Sequence, residues 1–125
     1  MAKGVLIVED DHDVRETLGL LLELEGYEVY GAANGKEALA LLKSISPPDV
    51  IITDIMMPIM TGWEFLESAA EDPALASIPV IILSAAEKKE SPKHPKVLAF
   101  LPKPVPIETL MTLIKAHSES TVIPR

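Results

Sequence analysis

Four polar residues each close a short apolar run: Asp10 ends VLIVED, Asp54 ends VIITD, Ser84 follows VIIL, and Lys103 lies in FLPKP. Apolar runs of this length form buried parallel strands. Laid side by side in one sheet, their C-terminal ends share an edge. Two or three carboxylates, a hydroxyl and an ammonium then converge on one small cleft. Carboxylates within a few ångströms of each other repel and resist ionising together. A hard, oxygen-seeking cation removes that conflict, and Mg²⁺ takes one or two carboxylates together with waters and phosphate oxygens. Asp54 is the natural nucleophile, because a carboxylate can attack phosphorus to give an aspartyl phosphate. The cation would neutralise the transferring oxygens and align the donor. Lys103 would supply a point charge to a further phosphoryl oxygen.

Each residue taken singly has a plainer reading. Glu9, Asp10 and Asp11 form an acidic turn before a helix, where the dipole favours negative charge. Asp54 follows a strand, where Asp often starts a turn. Ser84 could be a cap, and Lys103 an exposed loop lysine. These readings do not explain why all of them follow strands whose ends adjoin. Strand order therefore decides, and it has to be read from the elements between them.

Strand and helix patterns alternate along the chain. Val5 to Val8 is a strand, followed by a helix from Asp13 to Glu25 with Val14, Leu18, Leu21 and Leu22 on one face and Gly26 as its stop. Tyr27 to Gly31 is a short second strand. Asn34 caps a helix whose inner face is Ala38, Leu41, Leu42 and Ile45, ended by Pro47 and Pro48. The β-branched run Val50 to Thr53 leads into Asp54, and Thr61-Gly-Trp-Glu64 has capping-box spacing for a helix through Ala70. Pro79 to Leu83 and Val97 to Leu101 are the last two strands, and Ile107, Leu110, Met111 and Ile114 line a final helix. The segment AAEKKESPKHPKVLA interrupts the alternation. It is polar, carries Pro92 and Pro95, and predicts a short or irregular fourth helix.

Five βα units in series imply an α/β fold, a parallel sheet with helices on both faces. The flavodoxin-like doubly wound order 2-1-3-4-5 suits five strands and places a ligand outside the carboxyl ends of the first and third. Those ends are Glu9-Asp10 and Asp54. Topology and chemistry point to one cleft.

Composition narrows the class further. A chain of 125 residues is one domain, with residues 1–118 folded and 119–125 a loose tail. Hydrophobic residues make up 48% and aromatics 4%, so aliphatic side chains must fill the core. Cysteine is absent, which excludes disulfides and thiolate metal sites and agrees with a reducing cytoplasm. A net charge of −8 argues against direct nucleic-acid binding. The N-terminal apolar stretch is too short for a signal peptide or membrane span.

These residues resemble the receiver domain of two-component response regulators. VLIVEDD is similar to its first strand and acidic pair, and DVIITDIMMPIMTGWEFL to its phosphoacceptor strand, loop and third helix. PVIILSA and AFLPKPV resemble its hydroxyl-bearing strand and lysine-proline turn, so the likeness covers residues 3–117 in order. The resemblance implies that Asp54 is phosphorylated by a histidine kinase or a histidine phosphotransfer protein. It implies that Asp10 ligates Mg²⁺ directly, Glu9 acts through water, and the Met56 backbone carbonyl completes the protein's ligands. Ser84 would move toward the phosphoryl group, Lys103 would pair with it, and Lys103–Pro104 would be a cis peptide. Phe100 would be the switch aromatic that rotates inward. Asp11 would be a surface or capping residue, and His12, His94 and His117 show no metal spacing. Trp63 and Phe65 would pack the third helix.

Such a domain catalyses only its own phosphorylation and dephosphorylation. The acyl phosphate biases a bistable surface, formed by the segment after Ser84, the last strand and the last helix, which an unknown downstream protein reads. A monomer or weak dimer is expected. Two departures from the family stand out. The segment between Ser84 and Phe100 is short, which puts the usual output face in doubt. Met56 and Ala86 are apolar where related domains tune hydrolysis, so slow self-dephosphorylation is expected. The start and short tail favour a stand-alone, chemotaxis-regulator-like receiver over a segment of a hybrid kinase or multidomain regulator. An aspartyl-nucleophile phosphatase would place a second Asp two residues after the first, where this chain has Met56. A degenerate receiver that signals by binding alone is disfavoured by the intact acidic pair, Asp54, Ser84 and Lys103.

Overall fold

The computed structural model describes residues 3–57, 59–84, 97–103 and 105–120, without the side chains of Ser84 and residues 117–120. Five strands, β1 (Gly4–Val8), β2 (Glu28–Ala32), β3 (Val50–Asp54), β4 (Val80–Ser84) and β5 (Val97–Pro102), form one parallel sheet in the order β2-β1-β3-β4-β5. The described helices are α1 (His12–Leu24), α2 (Gly35–Leu42), α3 (Gly62–Ala70) and α4 (Ile107–Ser120). This is the flavodoxin-like arrangement expected from the alternation.

Period-two geometry sends successive strand residues to opposite faces, and here both faces are covered. Leu6, Val8, Ile51, Val80 and Ile82 pack with Phe65 and Leu66 of α3 and Ala38 and Leu42 of α2. Val5, Ile7, Ile52, Ile81 and Leu83 pack with Leu18 and Leu22 of α1 and Leu110 and Ile114 of α4. That double coverage is why β3 reads as a continuous β-branched run, buried along its whole length. Each such side chain contributes about 1.5–3 kcal/mol relative to exposure.

Local signals set the helix starts. Asp11 caps α1 by accepting from the N–H groups of Asp13 and Val14. Asn34 caps α2, and Thr61 with Glu64 forms a reciprocal capping box on α3. Gly26 (φ 95°) supplies the left-handed turn after α1.

Two boundaries differ from the sequence expectation. α2 ends at Leu42 rather than running to Pro47, because the N–H and hydroxyl of Ser44 both turn back to the Leu41 carbonyl. Ile45 therefore leaves the helix, though it still packs against the same core. α4 continues to Ser120, two residues into the stretch expected as a loose tail. The irregular fourth helix expected after Ser84 falls on residues 85–96, outside the described set, as does Pro104 and with it the expected cis peptide.

Candidate functional site

Register brings the acids together. Val8 pairs with Thr53, so the next residues, Glu9 and Asp54, emerge side by side at the carboxyl edge of β1 and β3. On the other flank Asp54 pairs with Leu83 and Ser84 with Pro102, which delivers Lys103 to the same edge. One carboxylate oxygen from each of Glu9, Asp10 and Asp54 lies within 4.8 Å of the others. Glu9 and Asp54 are buried, whereas Asp10 is exposed.

Lys103 closes the cluster. Its ammonium donates to Asp54 Oδ2 at 2.7 Å and sits 2.9 Å from Glu9 Oε1. The second contact is an ion pair by distance, but among the described residues Glu9 Oε1 has no well-aligned hydrogen-bond donor. The other Glu9 oxygen accepts from the Asp11 N–H at 3.0 Å, and Asp54 Oδ1 accepts from the Met56 N–H at 3.3 Å.

Burial pushes the Glu9 carboxyl above its ordinary value and the nearby Asp54 charge adds to this, against the pull of Lys103 and the Asp11 N–H. For Lys103, burial works downward. Its bonds and charge pairing with Asp54 and Glu9 together outweigh burial, so the ammonium is held above its ordinary value. The pocket is thus a compact set of opposed charges at a partly dry edge.

These residues fit a hard divalent cation. The donor set is all oxygen, Asp10 faces solvent where hydrated ions arrive, and Glu9 offers a fully buried oxygen that lacks an aligned donor among the described residues. Lys103 supplies the countercharge that keeps two buried acids tolerable.

The structure brings Glu9, Asp10, Asp54 and Lys103 together, with the Met56 backbone beside them through its N–H. Ser84 ends the adjoining strand. Phe100 stands apart from the acids, half-buried on β5, its ring 6.0 Å from that of Trp63 with a tilt of 49°. His12 is exposed and its Nδ1 lies 3.2 Å from the Arg15 guanidinium, consistent with a surface role.

Two supporting residues, Arg15 and Gly62, and one contact of Trp63 escaped the sequence reading. The Arg15 guanidinium donates to the Glu9 carbonyl at 2.6 Å and so pins the turn that presents Asp10. Its place one turn into α1, six residues after Glu9, was the available signal. Gly62 donates its N–H to the Ile55 carbonyl at 2.9 Å, and a Cβ there would overlap the Asp54 carbonyl oxygen. Trp63 meets Phe100 on the face of the sheet that α2 and α3 cover, a pairing no local pattern encodes.

A family model described as the response regulator receiver domain matches residues 5–115. The chain is 33% identical over 120 residues to the polar-differentiation response regulator DivK of Brucella anthropi, covering 94% of this chain and 97% of that protein. It is 44% identical over 81 residues to the sensor histidine kinase TmoS of Ectopseudomonas mendocina, covering 65% of this chain but 8% of that protein. Among solved structures, the chemotaxis response regulator CheY4 of Vibrio cholerae superposes with a TM-score of 0.83 at 34% identity, covering 94% of this chain and 99% of that one.

Proposed function

The chain belongs to the response regulator receiver family, and on that premise we propose that it is a phosphorylation-dependent switch whose acceptor is Asp54. The observation that carries this reading is the contact of Lys103 with Asp54 at 2.7 Å inside a cluster of three carboxylates. A nucleophile, a countercharge and a cation-ready wall then share one edge.

The donor is a phosphohistidine of a histidine kinase or a histidine phosphotransfer protein. An Asp54 carboxylate oxygen attacks phosphorus, the P–N bond breaks, and the imidazole leaves with the electron pair. Asp10, Asp54 and the Met56 carbonyl would hold Mg²⁺, with Glu9 acting through water. Bound there, the cation supplies charge neutralisation for the transferring oxygens. Lys103 transfers its hydrogen bond from Asp54 to a phosphoryl oxygen. Ser84, at the end of β4, contributes its hydroxyl to another, and Phe100 responds on β5.

The protein acts as a signalling switch in the cytoplasm, as a monomer or weak dimer, and turns over no other substrate. Phosphatase activity is disfavoured because Met56, where a general acid would stand, is exposed and apolar. Among the described residues, no helix is long and apolar enough to cross a membrane. The likeness to a short stretch of a sensor kinase favours a second reading, a receiver working as part of a larger kinase.

Intact mass after incubation with Mg²⁺ and acetyl phosphate tests the acceptor. The wild type should gain one phosphoryl group, and Asp54→Ala none. An equal gain in both would remove Asp54 from the role.

A further inference from the structure

Asp54 reaches Phe100 by two physical routes. The first runs through its side chain: Asp54 Oδ2 to Lys103 Nζ, then three residues back along β5 to Phe100. The second runs through its backbone. Gly62 lies so close to the Asp54 carbonyl that no side chain fits between them, and its N–H is bonded to the next carbonyl, that of Ile55. The following residue is Trp63, whose ring rests on Phe100 at 6.0 Å.

The two routes respond differently to a group added on Asp54. A phosphoryl group must stand between the Asp54 oxygen and the Lys103 ammonium, so the side-chain route lengthens. The backbone route is set by covalent geometry and a main-chain hydrogen bond, so it stays fixed. The mismatch has to be taken up where the routes meet, at the contact of Trp63 with Phe100. Strand β5 has the freedom to do so. Among the described residues it pairs only with β4, and their register slips between Val80 and Ile81, leaving Leu98 without a partner.

We propose that Trp63 is a positioning residue for Phe100, holding the ring and β5 in the unphosphorylated arrangement until a phosphoryl group on Asp54 breaks their contact. This rests on the phosphoacceptor reading above. Uptake draws on the arrangement in which this contact is open, so a contact that favours the closed, unphosphorylated state lowers the competent fraction and slows uptake by the same factor. An aromatic pair of this geometry supplies about a two- to tenfold bias.

Trp63 is the chain's only tryptophan, so its emission reports the contact directly. The test uses the full chain with Mg²⁺ and acetyl phosphate, reading Trp63 fluorescence and intact mass on the same samples. Wild-type emission should change in proportion to the phosphorylated fraction. In Phe100→Leu, compared at equal phosphoryl occupancy, the change should fall by at least about half. Trp63→Leu should take up phosphoryl about two- to tenfold faster than wild type, and Trp63→Phe, which keeps a ring, should return toward the wild-type rate. Full phosphorylation with unchanged emission overturns the proposal, even if Trp63→Leu fails to fold. So does an equal emission change in Phe100→Leu. No phosphoryl gain by mass in the wild type would instead overturn the acceptor reading, and this proposal with it.

Discussion

The cleft has a floor and a rim, built on opposite principles. Its floor is Glu9, Thr53, Asp54 and Gly62, all buried, with Phe65 packed behind at 0% exposure. Its rim is Asp10, Met56 and Lys103, continued by the loop that leaves Asp54, in which Met56 is 69% and Ile59 74% exposed. Floor groups are fixed from several sides: Thr53 Oγ1 donates to the Asp54 carbonyl at 3.0 Å, and Arg15 holds the Glu9 carbonyl. Along the rim Lys103 is tied to both buried acids, whereas the Met56 and Ile59 side chains are largely exposed and Ile59 carries backbone strain. The contrast teaches that stability is concentrated where the acids are oriented, whereas exchange with ions, water and donors is left to residues that can change without unfolding the chain.

The floor is broken most severely at Gly62. Gly62→Ala would drive a Cβ into the Asp54 carbonyl oxygen and to 2.9 Å from Ile55 Cα, both backbone atoms that cannot swing aside. We expect a loss of about 3 kcal/mol in urea unfolding, the upper end of overpacking costs, with phosphoryl uptake falling because Asp54 is displaced. A loss under about 1 kcal/mol would mean that the floor yields as easily as the rim.

Lys103 joins floor to rim, and its removal should show both characters. Lys103→Met leaves Glu9 and Asp54 facing each other without a countercharge. Because Lys103 keeps 23% of its exposure, the expected cost is about 2 kcal/mol, below that of breaking a fully buried pair. Mg²⁺ should then raise the melting temperature of the variant by more than that of the wild type, since no ammonium competes for the same oxygens. Equal Mg²⁺ shifts in the two proteins would show that Lys103 and the cation occupy independent places.

Much of this division was legible in the sequence, for physical reasons. The strands announced themselves because parallel strands covered on both faces must be continuously apolar, and the acids announced themselves because each interrupts such a run. Asp11, Asn34 and Thr61 were readable as caps because capping is local. What the sequence could not yield is contact between distant elements. The close approach of Gly62 to Asp54 and the meeting of Trp63 with Phe100 both depend on how helices settle on the sheet. The early end of α2 was missed for a related reason, since Ser44 stops the helix by a side-chain bond before the prolines can act. Burial was also unreadable: Glu9 and Asp10 are adjacent acids, yet one is fully buried and the other exposed.

At the rim, chemistry should change more than stability. Met56 donates its N–H to Asp54 Oδ1 while its thioether side chain faces solvent, with nothing to orient an attacking water. Met56→Asn adds an amide at that place and should shorten the aspartyl-phosphate lifetime by roughly tenfold, less than a fully positioned proton-transfer group supplies. Decay of the phosphorylated species by intact mass after donor removal measures this. Stability should move by no more than about 0.5 kcal/mol, as for other exposed positions. An unchanged lifetime would mean that water reaches the phosphoryl group from another side, and the slow self-dephosphorylation expected of the apolar rim would lose its basis.

The smallest expected effect is also the sharpest test of the contrast, because its sign is opposite. Ile59 has φ 72°, a left-handed backbone in a β-branched residue that is largely exposed. A Cβ in that region costs about 1–2 kcal/mol, and little burial offsets it. Glycine adopts the conformation freely but loses about 0.5–1 kcal/mol of chain entropy on folding. Ile59→Gly should therefore stabilise the protein by about 0.5–1 kcal/mol, seen as a higher urea midpoint with an unchanged slope. Asn, the side chain that best tolerates this region, should give a smaller gain of the same sign. A destabilised Ile59→Gly would show that Ile59 makes packing contacts worth more than its strain. The rim would then be held as firmly as the floor, and the division between them would fail at the residue where it predicts the clearest reversal.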